Sequence, residues 1–198
     1  MCTVRVKQLQ TNFNVRLRYR HFPLHPDTPP EGLTLEDLFA GRNIDIPAAQ
    51  TQLQHRMQQE GLPYGNRTHT FNTRLAQELA KWGERETGEL AIHDALYQAY
   101  FVNNVNLADI DNLVQITNDF GLPADKARAA LTTGRFRTAV DADWERSRLL
   151  GVTSVPTFVT GKRALVGAQS YEVLATFLQA AGARPRTPPA HSNGPPQP

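Results

Sequence analysis

The sequence predicts an α/β fold in which a small strand-containing unit is interrupted by a long all-helical block. Three observations carry this. Near the start, Val15, Leu17, Tyr19 and His21 alternate with Arg16, Arg18, Arg20 and Phe22, the period-two pattern of a half-buried strand. From about residue 45 to 150, apolar residues recur almost throughout at helical spacing. After Pro156 the pattern returns to two short apolar runs joined at Gly161 and Lys162, then a terminal amphipathic stretch.

Taken in order, Cys2, Val6, Leu9 and Phe13 form a helical stripe that predicts a first helix over about 3–12, weakened by β-branched Val4 and Val6. The strand at 15–22 ends in a proline-punctuated loop, 21–30. In the helical block, Pro47 suits a first turn, Ala49, Leu53 and Met57 mark an inner face, and Gly61 suits a stop. Phe71, Leu75, Leu79 and Trp82 form the stripe of a second helix, and 89–102 reads as a third. Ile110, Leu113, Val114 and Thr117 mark a fourth, ended by Gly121; a short helix over 124–131 follows. The last carries Phe136, Val140 and Trp144 and runs toward Gly151. Strands are expected at 157–160 and 164–166. Ser170 is a fitting N-cap for a helix lined by Val173, Leu174, Phe177, Leu178 and Ala181, with Gly182 just past its end. Residues 183–198 hold six of the 14 prolines and no apolar stripe, and are read as disordered. The expected organisation is 1–44 with 151–182 as the α/β core, 45–150 as the helical insertion, and 183–198 as the tail.

Composition narrows the function classes. At 198 residues, 40% hydrophobic and 20% charged, the chain is ordinary for a globular protein. A net charge of +2 is no footprint of nucleic-acid binding, and no apolar run has membrane-spanning length, so neither nucleic acid nor membrane is expected as a partner. One cysteine forbids an internal disulfide, and with no signal-peptide pattern it suggests a cytoplasmic, reducing location.

The most informative stretch is 151–159, Gly-Val-Thr-Ser-Val-Pro-Thr-Phe-Val. It reads as a helix stop, a loop, a proline at a strand's first position and a buried strand. Proline is tolerated there because the missing N–H leaves no gap in a ladder. The Val155–Pro156 bond is a candidate cis peptide, with a trans proline at an edge strand as the plain alternative.

Four runs together resemble a known family: His-Phe-Pro-Leu-His-Pro-Asp-Thr-Pro-Pro-Glu-Gly at 21–32, Phe-Asn-Thr-Arg-Leu-Ala at 71–76, His-Asp-Ala-Leu-Tyr-Gln-Ala-Tyr-Phe at 93–101, and 151–159 with Val-Gly-Ala-Gln at 166–169. The chain resembles DsbA-family thioredoxin-like proteins of the FrnE-like branch, which includes 2-hydroxychromene-2-carboxylate isomerase relatives. The resemblance implies a thioredoxin-like fold with a large helical insertion and thiol–disulfide oxidoreductase activity. Family members begin with a strand running into Cys-x-x-Cys. Here Cys2 falls where the second cysteine would lie, and the first, central strand and the first cysteine are missing. N-terminal truncation or degeneration of the site is therefore expected, with activity impaired.

Only three site residues carry over: Cys2 as the redox thiol, and Val155 and Pro156 as the substrate-binding loop. The alternative for Cys2 is an incidental cysteine. The implied partners are a thiol or disulfide substrate, a peptide or glutathione. No cofactor or metal is implied beyond glutathione as co-substrate, and the oligomeric state is open. Two other functional readings remain: a glutathione-dependent isomerase or transferase of the kappa-like branch, and a non-catalytic peptide- or partner-binding module. Among the other candidates, His93 reads as a satisfied core histidine, and His21 with His25 is a poor metal pair. Asn72 reads as a helix cap or as a residue near the thiol-substrate site. Arg16, Arg18 and Arg20 read as a solvated or salt-bridged face.

Overall fold

The computed structural model describes residues 2–186. Two compact units emerge, one built from the chain up to Tyr19 and from Pro156 onward, the other from Arg20–Val155. The helical unit thus begins well before residue 45, because 20–44 packs with the helices that follow it.

In the first unit, α1 (Cys2–Asn12) packs against α9 (Tyr171–Ala180). The expected stripe is the buried one: Val6, Leu9 and Phe13 are buried and Cys2 is half-buried. Leu9, Phe13 and Leu174 form a cluster that Val15, Phe158, Leu165 and Leu178 complete from the sides. Phe158 and Leu165 belong to the antiparallel hairpin of β3 (Thr157–Thr160) and β4 (Arg163–Val166). Ser170 caps α9 by accepting the Val173 N–H. Of the residues expected to line that helix, Leu174 is buried, but Val173 is 42% exposed.

Two expectations need correction here. Residues 15–22 form no strand. Their side chains keep the alternation as far as 21, with Val15, Leu17, Tyr19 and His21 half-buried and Arg16, Arg18 and Arg20 exposed, and lose it at half-buried Phe22, yet no strand among the described residues forms a ladder with them. Alternation reports which side chains are covered, whereas a strand requires a backbone partner in register. The start of the tail is also ordered. Pro185 bridges to Phe13, the Arg186 N–H donates to the Asn12 carbonyl at 2.7 Å, and the Arg186 guanidinium donates to the Gln10 and Phe13 carbonyls. Those carbonyls lie at the C-terminal end of α1, where a cation and extra donors are favoured. The rest of the expected tail, 187–198, lies outside the described residues.

The second unit holds β1 (Leu33–Thr34), α2 (Leu35–Leu38), α3 (Ile46–Gln59), β2 (His69–Thr70), α4 (Arg74–Thr87), α5 (Ile92–Phe101), α6 (Ile110–Asp119), α7 (Ala124–Thr132) and α8 (Arg137–Leu149). Its core is drawn from α4 to α7 and the start of α8: Leu79, Trp82, Ile92, Leu113, Ala127 and Phe136 are all buried together. The helix α3 starts as expected, with Asp45 capping and Pro47 in the first turn, but it buries no residue fully; Leu53 and Met57 are half-buried and Ala49 is exposed. The short ladder of β1 with β2 was not expected, because two residues per strand leave no period to read. Among the described residues, no helix is long and apolar enough to cross a membrane.

Gly32, beside that ladder, has φ +88°, and a Cβ placed there would lie 2.5 Å from the Phe71 ring and 2.8 Å from the Thr70 carbonyl oxygen. Gly32→Ala should therefore destabilise the protein by about 1–3 kcal/mol through backbone strain and overpacking, measured by urea unfolding.

Candidate functional site

The loop over 151–156 is assembled by local chemistry. At the end of α8, Gly151 takes φ +65° and donates to the Arg148 carbonyl, while the Val152 N–H reaches back to Ser147 at 2.9 Å. This paired closure ends the helix and sends the chain out of it. Pro156 stands directly ahead of β3, as expected. Its carbonyl accepts the Gly167 N–H at 2.8 Å, one step beyond the Thr157–Val166 pair that ends the β3–β4 ladder. Gly167 has φ +93°, a conformation that suits glycine, and the chain turns there toward Gln169 and the start of α9. Pro156 is half-buried, and Val155, the last residue of the helical unit, is 46% exposed.

Cys2 is the first residue of α1. Arg5, three positions on, occupies the same helix face, since residues at that spacing are neighbours about 5–6 Å apart at Cβ. The Arg5 Nη1 donates to the Ala168 carbonyl at 3.3 Å and to the Gln169 carbonyl. A continuous series of contacts inside the first unit therefore runs from the opening turn of α1, through Arg5, to the 167–169 turn and on to Pro156. The structure brings Cys2 and Pro156 into one unit, whereas Val155, bonded to Pro156 along the chain, belongs to the other. Arg5 belongs to no motif in the sequence. Its real partners lie more than 160 residues away, and no local pattern signals them.

The remaining candidates lie in the helical unit. His93 is buried, and its Nε2 lies 2.7 Å from Glu84 Oε1, the geometry of a satisfied core histidine. Its ring is 5.8 Å from that of His21. The His21 Nε2 is buried without a hydrogen-bond partner. Burial, with help from the Lys81 and His93 charges, pushes the His21 imidazole down to about 4. Asn72 does two jobs at the head of α4: its Oδ1 accepts the Arg74 N–H, and its amide donates to the Pro26 and Thr28 carbonyls, fastening the proline loop. On the arginine face, Arg20 pairs with Asp143 at 3.0 Å among the described residues. Sequence reasoning missed one feature: an open cavity of about 570 Å³, lined by Phe22, Pro23, Trp144 and Val152 with Asp141, Glu145 and Arg148.

A hairpin entered through proline and packed against the first and last helices, with a helical unit interposed in the chain, corresponds to the closing part of a thioredoxin-like fold, whose other sheet strands do not form among the described residues. The chain belongs to the DSBA-like thioredoxin domain family, which matches residues 2–179. It is similar to the crystal structure of a probable DsbA oxidoreductase from Streptomyces coelicolor, with 27% identity and a TM-score of 0.81 over 91% of this chain and 82% of that one. It shares its fold with 2-hydroxychromene-2-carboxylate isomerase, at 17% identity and a TM-score of 0.68 over 90% of this chain and 85% of that one. The uncharacterized protein YwbO of Bacillus subtilis (strain 168) is 27% identical over 112 residues. That match covers 54% of this chain and 44% of YwbO, so the chain spans less than half of that relative's length.

Proposed function

We propose that the chain acts in thiol–disulfide exchange, with Cys2 as the attacking thiol and the loop at Val155 and Pro156 holding the substrate backbone. The observation that carries this reading is the series of contacts from the Cys2 turn through Arg5 and Gly167 to Pro156. The start of α1 bears the positive end of the helix dipole, where negative charge, and so a thiolate, is favoured. The thiolate sulfur attacks one sulfur of a substrate disulfide. That S–S bond breaks, a mixed disulfide to Cys2 forms, and the other sulfur leaves as a thiolate. With one cysteine in the chain, an external thiol such as glutathione must attack the mixed disulfide and release Cys2. A reducing compartment such as the cytoplasm supplies that thiol.

The test is insulin-disulfide reduction in the presence of glutathione. Activity that disappears in Cys2→Ser, a loss of at least about a hundredfold, is the expected result. Activity unchanged by Cys2→Ser overturns the reading. Glutathione binding without reduction points instead to a glutathione-dependent isomerase or transferase. Reduction absent both before and after Cys2→Ser overturns the reading as well.

A further inference from the structure

We propose that Arg5 is the positioning residue of this exchange site, an inference that rests on the reading just given. Arg5 ties the first turn of α1 to the turn after β4, by two hydrogen bonds from one nitrogen to the Ala168 and Gln169 carbonyls. That turn is itself fixed at both ends. The Gly167 N–H donates to the Pro156 carbonyl at 2.8 Å, and the Gln169 side-chain amide donates to the Val166 carbonyl at 2.7 Å. Displacing the 167–169 turn therefore displaces Pro156.

Val6, one turn on from Cys2, is buried, and Leu9 and Phe13 further along join the cluster shared with the hairpin and α9. These side chains set the helix on the unit, but none of them touches the backbone of the 167–169 turn through a hydrogen bond, as Arg5 does. The opening turn, whose first N–H groups have no partner within the helix, is held to the proline turn by Arg5. Arginine suits this task because its terminal NH2 group holds two N–H donors fixed in the guanidinium plane, whereas the lysine ammonium rotates on a flexible stem. Arg5 acts through the backbone of 167–169, so its influence should fall on substrates that use the proline loop and spare reagents that need only the sulfur.

The experiment compares two disulfide probes that release the same chromophore, thionitrobenzoate. One is 5,5′-dithiobis(2-nitrobenzoate), a small reagent. The other is a cysteine peptide capped with thionitrobenzoate, long enough to lie along the Val155–Pro156 backbone. In each case the Cys2 thiolate attacks the disulfide, the S–S bond breaks, and thionitrobenzoate leaves with the electron pair. The chain is left in a mixed disulfide with the peptide in the second case. Arg5→Gln is expected to lower kcat/KM for the peptide probe about tenfold or more, as a displacement of order 1 Å does, while the small probe changes little. Arg5→Lys should recover part of the loss.

A merely structural role would expose Cys2 and change both probes together, and that outcome overturns the proposal, as does an unchanged peptide rate. If Arg5→Gln does not fold, judged by circular dichroism, the ratio of the two rates in Arg5→Lys decides: an unchanged ratio overturns the proposal. Failure of the underlying reading looks different. In that case the unsubstituted chain shows no Cys2-dependent release from either probe, and both proposals fall.

Discussion

Asp143→Ala is expected to destabilise the protein by about 3–5 kcal/mol, the cost of stripping one partner from a buried charge pair. Asp143 lies in α8 with its side chain 4% exposed, and Lys81 of α4 places its ammonium 2.6 Å from one carboxylate oxygen. The Arg20 guanidinium is 3.0 Å from the other oxygen, and the His21 backbone N–H donates to the carboxylate at 3.1 Å. Burial by itself raises the Asp143 carboxyl. The Lys81 hydrogen bond, the His21 N–H and the charges of Lys81 and Arg20 outweigh it and hold the group below its ordinary value. Alanine would leave the Lys81 cation, itself largely buried, without this counter-charge, and the His21 N–H without its acceptor. Asp143→Asn keeps the shape and an acceptor oxygen and should cost less. Urea midpoints of the two variants against the unsubstituted protein provide the measurement, and equal, small losses would show that the pair contributes little.

Stability should also fall as the pH drops from 6.5 toward 4, with His21 as the source. Its imidazole is held at about 4 in the folded chain against 6.5 ordinarily, first by burial and then by the charges of Lys81 and His93, with Asp143 and Glu84 opposing them. Above pH 6.5 the ring is neutral in both folded and unfolded chains, and it contributes no pH dependence. Between 6.5 and 4 the unfolded chain takes up a proton that the folded chain refuses, so unfolding is favoured progressively. Below 4 both forms bind the proton and the effect levels off. Its full size is about 3 kcal/mol, from 1.36 kcal/mol for each unit of displacement. Glu84 and Asp143, whose carboxyls are both held below their ordinary values, carry the loss of stability to still lower pH. His21→Leu should flatten the slope between pH 6.5 and 4 while leaving the acid limb. A slope unchanged by His21→Leu would move the effect to another group.

These two results depend on contacts that could not be read along the chain. Arg20 and Asp143 are 123 positions apart, and Lys81 comes from a third element. As a sequence, the arginine run at 16–20 was a solvated or salt-bridged face, and only packing pairs Arg20 with Asp143. The same holds at the candidate site. The proline at the head of β3, the glycine that ends α8, the Ser170 cap and the stripe of α1 were all legible, because each is decided by chemistry within a turn or two of the residue concerned. The clamp from Arg5 to the 167–169 turn was not, because its donor and acceptors are joined only by the fold.

The strand expected at 15–22 marks the boundary between the two kinds of information. Its alternating residues did determine which side chains are covered, since burial of every second residue follows from the direction of successive Cβ atoms. They could not determine a ladder, since that depends on another segment presenting its N–H and C=O groups in register. Order along the chain, helix ends and the proline loop belong to local chemistry and were settled by residue type. Partners across the chain, namely the β1–β2 pair, the buried charges around Asp143 and the link between the Cys2 turn and Pro156, were decided only when the folded backbone brought distant groups within hydrogen-bonding distance.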